Sequence, residues 1–352
     1  MVRTTPSDDY MHPAEDDPHF NESVYYNFGD RTQDLGGLLR IGNRVNEGYA
    51  EVTTCLFLPD GSVAFWYLKP TITDNSAHHA GGLHCETIEP HEHHRVRYDG
   101  EVVVLSDPSQ MEDPRAAFKQ NPHETCTLDL TFRSVAAPYW PWIPSAPESG
   151  NLTTGGFDSN LHGGFARNHL NQHMSVTGTV AVGARQFAVG EGLGWRDRSW
   201  GPRSWQAIPW YRWTSCSFGP DFGLAIMVFG DDAGNRHPRG YVHHGSDREP
   251  SRIVDAHFDT SYDERWYARS VVVTVSTDDG ETHVIEGDLS GHIPLRFRRG
   301  EHLTRTTEGL MRWRCADRSG VGILEYLDQM VEGIPLGVDQ EASWASTRRL
   351  PQ

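Results

Sequence analysis

The chain has 352 residues, 37% of them hydrophobic and 22% charged, with a formal net charge of -17 and a mean hydropathy of -0.57. The length exceeds the usual reach of one hydrophobic core and predicts two domains, while the composition is that of a water-soluble globular protein and excludes a membrane bundle. The negative charge excludes nucleic acid as a partner, since most of such a surface repels a polyanion, and no stable membrane insertion is expected.

Residues 1–20 are polar and acidic and carry no apolar h-region, so no secretory signal is expected. The five cysteines (Cys55, Cys85, Cys126, Cys216 and Cys315) are odd in number and contain no C-x-x-C pair. That usage fits reduced thiols and a cytoplasmic setting. The runs Tyr49–Leu58 and Ser62–Leu68 flank Asp60-Gly61, the strongest short-range hairpin signal in the chain. Strand-length runs follow at Glu101–Leu105 and Thr125–Phe132, with a short helix expected between them at Pro114–Lys119. Residues 136–147, AAPYWPWIPSAP, cannot be a central strand, because proline donates no ladder hydrogen bond. A surface strap or a loop over a cavity is expected there, continued by the glycine-rich stretch 150–164. Strands resume at Ser175–Val182, Gly223–Phe229, Gly240–His244, Tyr267–Ser276, Thr282–Ser290 and Gly322–Tyr326. The 35 glycines and 21 prolines have no fixed period and act as turn punctuation. Many short strands and little helix predict a mainly β protein, a sandwich or barrel whose closure removes exposed edges.

One segment concentrates chemistry. Five of the 11 tryptophans lie between Trp195 and Trp213, within and just beyond the run GLGWRDRSWGPRSW (192–205). Gly201-Pro202 interrupts any helix there. An extended strand puts Trp195, Asp197 and Ser199 on one face and Arg196, Arg198 and Trp200 on the other. An acid beside aromatic surface on one face, with cations on the other, suits a pocket wall.

The Asp197-x-x-Trp200-Gly201 run resembles the signature of the carotenoid 1,2-hydratase (hydroxyneurosporene synthase) and AttH-like superfamily, to which fungal kievitone hydratase and certain Diels–Alder cyclases are similar. Residues 21–26 (NESVYY), 40–44 (RIGNR) and 320–325 (GVGILE) look like bacterial members. Many members place His where Arg198 stands. The resemblance implies two consecutive lipocalin-like antiparallel β-barrel or half-barrel domains, and cofactor-free hydration, dehydration, isomerisation or cyclisation of an isoprenoid-like substrate. The residues are consistent with such chemistry. A carboxylic acid buried among aromatics stays protonated because desolvation raises its pKa, and aromatic faces stabilise a developing cation. If Arg196, Arg198 or Arg203 pairs with Asp197, the acid is instead a structural anion.

The 19 histidines raise the question of a metal. His91-Glu92-His93-His94 lacks a cupin-type glutamate, since Arg97 and Tyr98 stand where it is needed, and His169–His173 has zincin-like spacing without the glutamate after its first histidine. No metal and no cofactor are therefore expected. Gly190–Gly194 lacks the helix and Gly-Lys-Ser/Thr of a phosphate loop, and no G-x-S-x-G elbow is present. The expected domains are residues 1–205 and 206–352. The expected activity is that of a hydratase/lyase or an isomerase/cyclase, with Asp197 as proton donor and His173 and Glu325 as polar partners. Trp195, Trp200, Arg203, Trp205, Trp210, Tyr211 and Trp213 are the expected substrate-binding residues, Arg203 orienting a carboxylate. The expected partner is a hydrophobic small molecule, with a homodimer compatible. A non-catalytic lipocalin-like carrier and a carbohydrate-active β protein are the alternatives. An all-apolar pocket would favour the first, and an open aromatic groove between two carboxylates the second.

Overall fold

The structure, a computed structural model, describes residues 4–139, 168–231, 233–245 and 249–338. Strand makes up 66% and helix 7%, so the expected β architecture is what forms. The first sheet contains β1 (Phe20–Asp30), β2 (Leu35–Arg44), β3 (Tyr49–Phe57), β4 (Val63–Leu68), β5 (His78–Ala80), β6 (Leu83–Glu89), β7 (His93–Leu105), β8 (His123–Ser134), β9 (Asn168–Val182) and β10 (Arg185–Pro202). Its order is β4-β3-β2-β1-β10-β9-β8-β7-β6-β5, and β4 also pairs with β7. Eight antiparallel strands thus close into a barrel, with β5 and β6 as an extension.

The second sheet follows chain order: β11 (Trp210–Ser217), β12 (Gly223–Gly230), β13 (Arg236–His243), β14 (Ser251–Tyr262), β15 (Ala268–Thr277), β16 (Thr282–Arg299), β17 (His302–Cys315), β18 (Arg318–Val331) and β19 (Ile334–Pro335). Its strands β11 and β18 also pair, which joins the two sides of the sheet. The two sheets are the two lipocalin-like domains. The first ends at Pro202 and the second begins at Trp210.

Local chemistry explains the clearest elements. Between β3 and β4, Asp60 Oδ1 accepts the Ser62 N–H at 3.0 Å and Gly61 adopts φ 83°, the left-handed turn geometry that glycine takes without strain. The helix α1 (Pro114–Gln120) starts with proline, whose missing N–H costs nothing there, and Asp113 caps it by accepting the Ala116 N–H at 3.1 Å. Of the proline-rich run, Tyr139 exchanges two backbone hydrogen bonds with Asn171. Residues 140–147 and 150–164 lie outside the described residues.

Three apolar clusters follow from strand alternation. Val24, Tyr26 and Phe28 of β1 join Leu39, Ile41 and Leu56 inside the first barrel. Trp210, Leu224, Ile226 and Val228 lie inside the second. Between them, Tyr25, Leu38, Phe57 and Phe65 of the first barrel meet Tyr211, Trp213, Leu310, Ile323 and Leu327 of the second. Strands at this junction are buried on both faces. Every residue of β1 and β11 is buried, whereas β8 and β14 alternate. That is why the alternation pattern does not single out β1 and β2: a strand packed on both sides has no solvent face to mark it. Backbones approach closely here. A Cβ on Gly29 would lie 2.3 Å from Val321 Cγ2, and one on Gly36 2.5 Å from Leu310 Cδ1. Among the described residues, no helix is long and apolar enough to cross a membrane.

Candidate active site

β10 is extended through the Asp-x-x-Trp-Gly run, and its alternation sorts the charges. Arg196 and Arg198 turn away from the second barrel to meet acids from elsewhere. Arg196 pairs with the fully buried Asp9 and donates to Gln172 Oε1 at 2.7 Å. Arg198 lies 2.6 Å from Glu22 Oε1, both side chains buried. On the opposite face, Trp195 Nε1 donates to Ser217 Oγ at 2.9 Å, and Ser199 Oγ meets Ser23 Oγ at 2.9 Å. Asp197 lies between them on that face. Its Oδ2 is hydrogen-bonded to His169 Nε2 and accepts from Asn171 Nδ2 at 2.6 Å. β9 supplies both partners, because residues two apart on a strand share a face and Asn171 stands directly opposite Asp197 in the register. Arg196 and Arg198 are thus committed to Asp9 and Glu22.

Asp197 and His169 line a cavity between the two barrels together with Tyr25, Arg40, Arg203, Trp205, Tyr211, Trp213, Glu308 and Glu325. Its volume is about 70 Å³, space for a few waters or one small reacting group. Glu308 of β17 and Glu325 of β18 are cross-strand partners and hydrogen-bond one another. Burial, and then the neighbouring Glu325, push the Glu308 carboxyl well above the ordinary range. Two carboxyls in contact in a dry site cannot both ionise, so the pairing favours the protonated form of Glu308. The Tyr211 hydroxyl donates to Glu325, and the Tyr25 hydroxyl lies 3.5 Å from Glu308 Oε2. Tyr25 is also the register partner of Asp197. Burial, with Arg40 nearby, brings the Arg203 guanidinium down to about 10, still charged at neutral pH. Arg203 and Arg40 flank the Trp205 ring at 5.2 and 5.3 Å.

A second, larger chamber of about 530 Å³ shares Glu51, Tyr67, Arg203, Trp205, Leu295 and Phe297 with the first. Its walls include Phe65, Met111, Phe118 and Phe297, and cations concentrate on it: Arg44, Lys69, Arg203, Arg296, Arg298 and Arg299, against Glu47 and Glu51. On a chain of net charge -17 this is a local reversal of sign. Arg298 and Arg299 are exposed at the end of β16. Among the described residues, three or more metal-ligating side chains converge only at His244, Glu281 and His283, outside both chambers.

Of the residues expected from sequence, Asp197, Glu325, Arg203, Trp205, Tyr211 and Trp213 meet in the inner cavity. The others lie elsewhere. His173 is fully buried, stacked on Trp195 at 4.8 Å, and burial with His243 lowers it to about 3, so it stays neutral. A strand rises about 3.3 Å per residue, so the i, i+4 spacing of His169 and His173 places them far apart, unable to share one metal. Trp195 joins the two barrels through Ser217, Trp200 stacks on His12 at 4.0 Å, and Trp210 lies inside the second barrel. Sequence reasoning did not single out His169 as the partner of Asp197, and it missed Tyr25 and Glu308 altogether. For Glu308 the available signal was an acid inside the run LTRTTEGLM (303–311), where turn chemistry is missing.

Three solved structures share this fold. Kievitone hydratase from Nectria haematococca is similar at TM-score 0.55 and 10% identity, covering 93% of this chain and 96% of that one. CghA is similar at TM-score 0.53 and 11% identity, over 90% of each chain. An AttH-like protein from Nitrosomonas europaea is similar at TM-score 0.55 and 14% identity, covering 93% of this chain and 98% of that one. At these identities the likeness is one of fold. No curated protein matches the sequence. Residues 5–330 match one family over nearly the whole length, and the chain belongs to it: the family described as Domain of unknown function (DUF7064).

Proposed function

We propose that this protein is a cofactor-free hydratase/lyase, or an isomerase/cyclase using the same acid, that acts on an elongated hydrophobic molecule with an anionic end. The observation that carries the reading is Glu308, a buried carboxylic acid kept protonated beside Glu325 in a cavity that Asp197 and His169 also line. In the hydration direction, Glu308 donates its proton to an alkene carbon. The adjacent carbocation forms against the aromatic face of Trp213, whose quadrupole favours positive charge. A water held by the Asp197–His169 pair adds to the cation and gives its proton to that pair, and proton exchange with solvent resets both groups. In an isomerisation or cyclisation the proton is removed from carbon and no water is added. The apolar walls of the outer chamber accommodate the body of an isoprenoid-like substrate, and Lys69, Arg298 and Arg299 take its anionic end.

Glycoside hydrolysis fits less well. Its two carboxyls stand at least about 5 Å apart to bracket the scissile bond, whereas Glu308 and Glu325 hydrogen-bond one another. The test is incubation of the full chain with acyclic isoprenoid alkenes, with and without a carboxylate or phosphate terminus, in oxygen-18 water. Label in a tertiary alcohol, strongest for the anionic substrates, is the expected outcome. Tight binding of these molecules with neither labelled alcohol nor rearranged product would replace the enzyme by a carrier.

A further inference from the structure

The end of the second barrel opposes side chains that the proposed reaction does not use. His244 follows β13, while Glu281 and His283 bracket the start of β16, and one ligand atom from each lies within 4.8 Å of the other two. His283 Nε2 stands 3.5 Å from Glu281 Oε2. The His244 and His283 rings are 6.0 Å apart, and Phe222 packs against both, at 6.0 and 5.6 Å, giving the cluster one apolar wall. Behind His244 runs a polar relay: its Nε2 meets Ser251 Oγ at 3.1 Å, and that hydroxyl donates to Asp279 Oδ2 at 2.6 Å. A carboxylate reached through a hydrogen bond to one imidazole nitrogen fixes the ring and leaves the other nitrogen for a ligand.

The location gives the cluster a purpose. β13 and β14 share only two register pairs, Tyr241 with Arg252 and Val242 with Ser251, whereas β15 and β16 share seven. The barrel wall is therefore thinnest between β13 and β14. His244 belongs to the connection on that weak side, and Glu281 ends the turn across from it, with His283 in the first residues of β16. From this juxtaposition we propose that His244, Glu281 and His283 form a divalent-metal site of the zinc class, cross-linking the β13–β14 connection to the β15–β16 turn. Two imidazoles and one carboxylate are a donor set that suits zinc, with water completing four-coordination. At bond lengths of about 2.0–2.2 Å the donors close in by about 1 Å, a movement that turn side chains can make. All three side chains also make other contacts, which a metal would have to compete with, so moderate affinity is expected. The proposal does not rest on the reaction assigned to the cavity.

Zinc ions are titrated calorimetrically into the full chain after chelator treatment, alongside thermal melting and the visible spectrum of the cobalt(II)-substituted protein. One zinc per chain, a raised melting midpoint and an intense four-coordinate cobalt spectrum are expected. Glu281 is exposed, so Glu281→Gln should fold normally, and it should weaken binding at least tenfold. His283→Ala should remove the cobalt spectrum, and Ser251→Ala should cost about 10–100-fold in affinity through the lost relay. Failure of the wild-type chain to bind zinc would overturn the proposal. So would a His244→Ala/His283→Ala variant that binds one zinc as tightly and shows the same rise in melting midpoint.

Discussion

At the scale of single residues, the site depends on which carboxyl keeps its proton. Glu308 is raised well above the ordinary range by burial and by Glu325, and this has two linked consequences. Glu308→Gln removes the acid, and turnover should fall by about 10²–10⁴-fold, the usual contribution of a positioned general acid. The same change should stabilise the fold. A group whose folded pKa exceeds its unfolded value takes up a proton on folding, and that uptake becomes more costly as pH rises above the unfolded pKa. The gain in melting midpoint for Glu308→Gln should therefore be larger at pH 8 than at pH 6, at about 1–2 °C per kcal/mol for a chain of this length. Wild-type activity should decline as pH rises through the folded pKa of Glu308. Asp197→Asn separates chemistry from architecture in a different way. Arg196 and Arg198 keep Asp9 and Glu22 as partners, so the midpoint should move little while turnover falls about 10²-fold or more. A loss of about 3–5 kcal/mol in denaturant unfolding, the signature of a broken buried pair, would instead make Asp197 a structural anion.

At the scale of elements, β9 and β10 build one side of the site, and β16 carries the feature that selects the substrate. Arg296, Arg298 and Arg299 come from one stretch of β16 at the mouth of the outer chamber, and Arg296 is held by Glu112 at 3.6 Å. Arg298 and Arg299 are exposed, so reversing them leaves packing intact. Arg298→Glu/Arg299→Glu should raise KM for an anionic substrate about tenfold with kcat nearly unchanged, because charges far from the reacting atoms contribute equally to ground and transition states. The penalty should shrink at high salt, as screening weakens interactions between exposed charges. A neutral substrate analogue should show no such change.

At the scale of the whole molecule, the cavity exists only because two barrels meet. Tyr25, Leu38 and Phe57 on one side and Tyr211, Trp213 and Leu310 on the other form a continuous buried cluster. Separating the sheets would expose a contiguous apolar face of the kind that soluble monomers rarely present. Residues 1–205 and 206–352 expressed as separate chains should therefore each aggregate or bind a hydrophobic dye strongly. Co-expressed, they should assemble into a soluble complex that restores the cavity. Independently soluble, dye-silent halves would show that the junction adds little to stability.

The architecture and part of the site are legible in local stretches of sequence. Alternating β-rich runs, Asp60-Gly61 and scattered glycines demand antiparallel strands, and alternation along 195–199 places Asp197 on the face opposite Arg196 and Arg198 whatever surrounds them. Local chemistry suffices for such features, because strand period and turn geometry are properties of a few consecutive residues. Tertiary structure alone decided what each face meets. Asp9, 187 positions before Arg196, is that arginine's partner. His173 sits on the same face of β9 as His169, yet it packs on Trp195 and stays outside the cavity. Glu308 and Glu325 become a hydrogen-bonded pair because β17 and β18 register them opposite each other, and they share a cavity with Asp197 because the second barrel docks on the first. Those distances are set by register and by packing between sheets, neither of which is encoded in the spacing of residues along one strand.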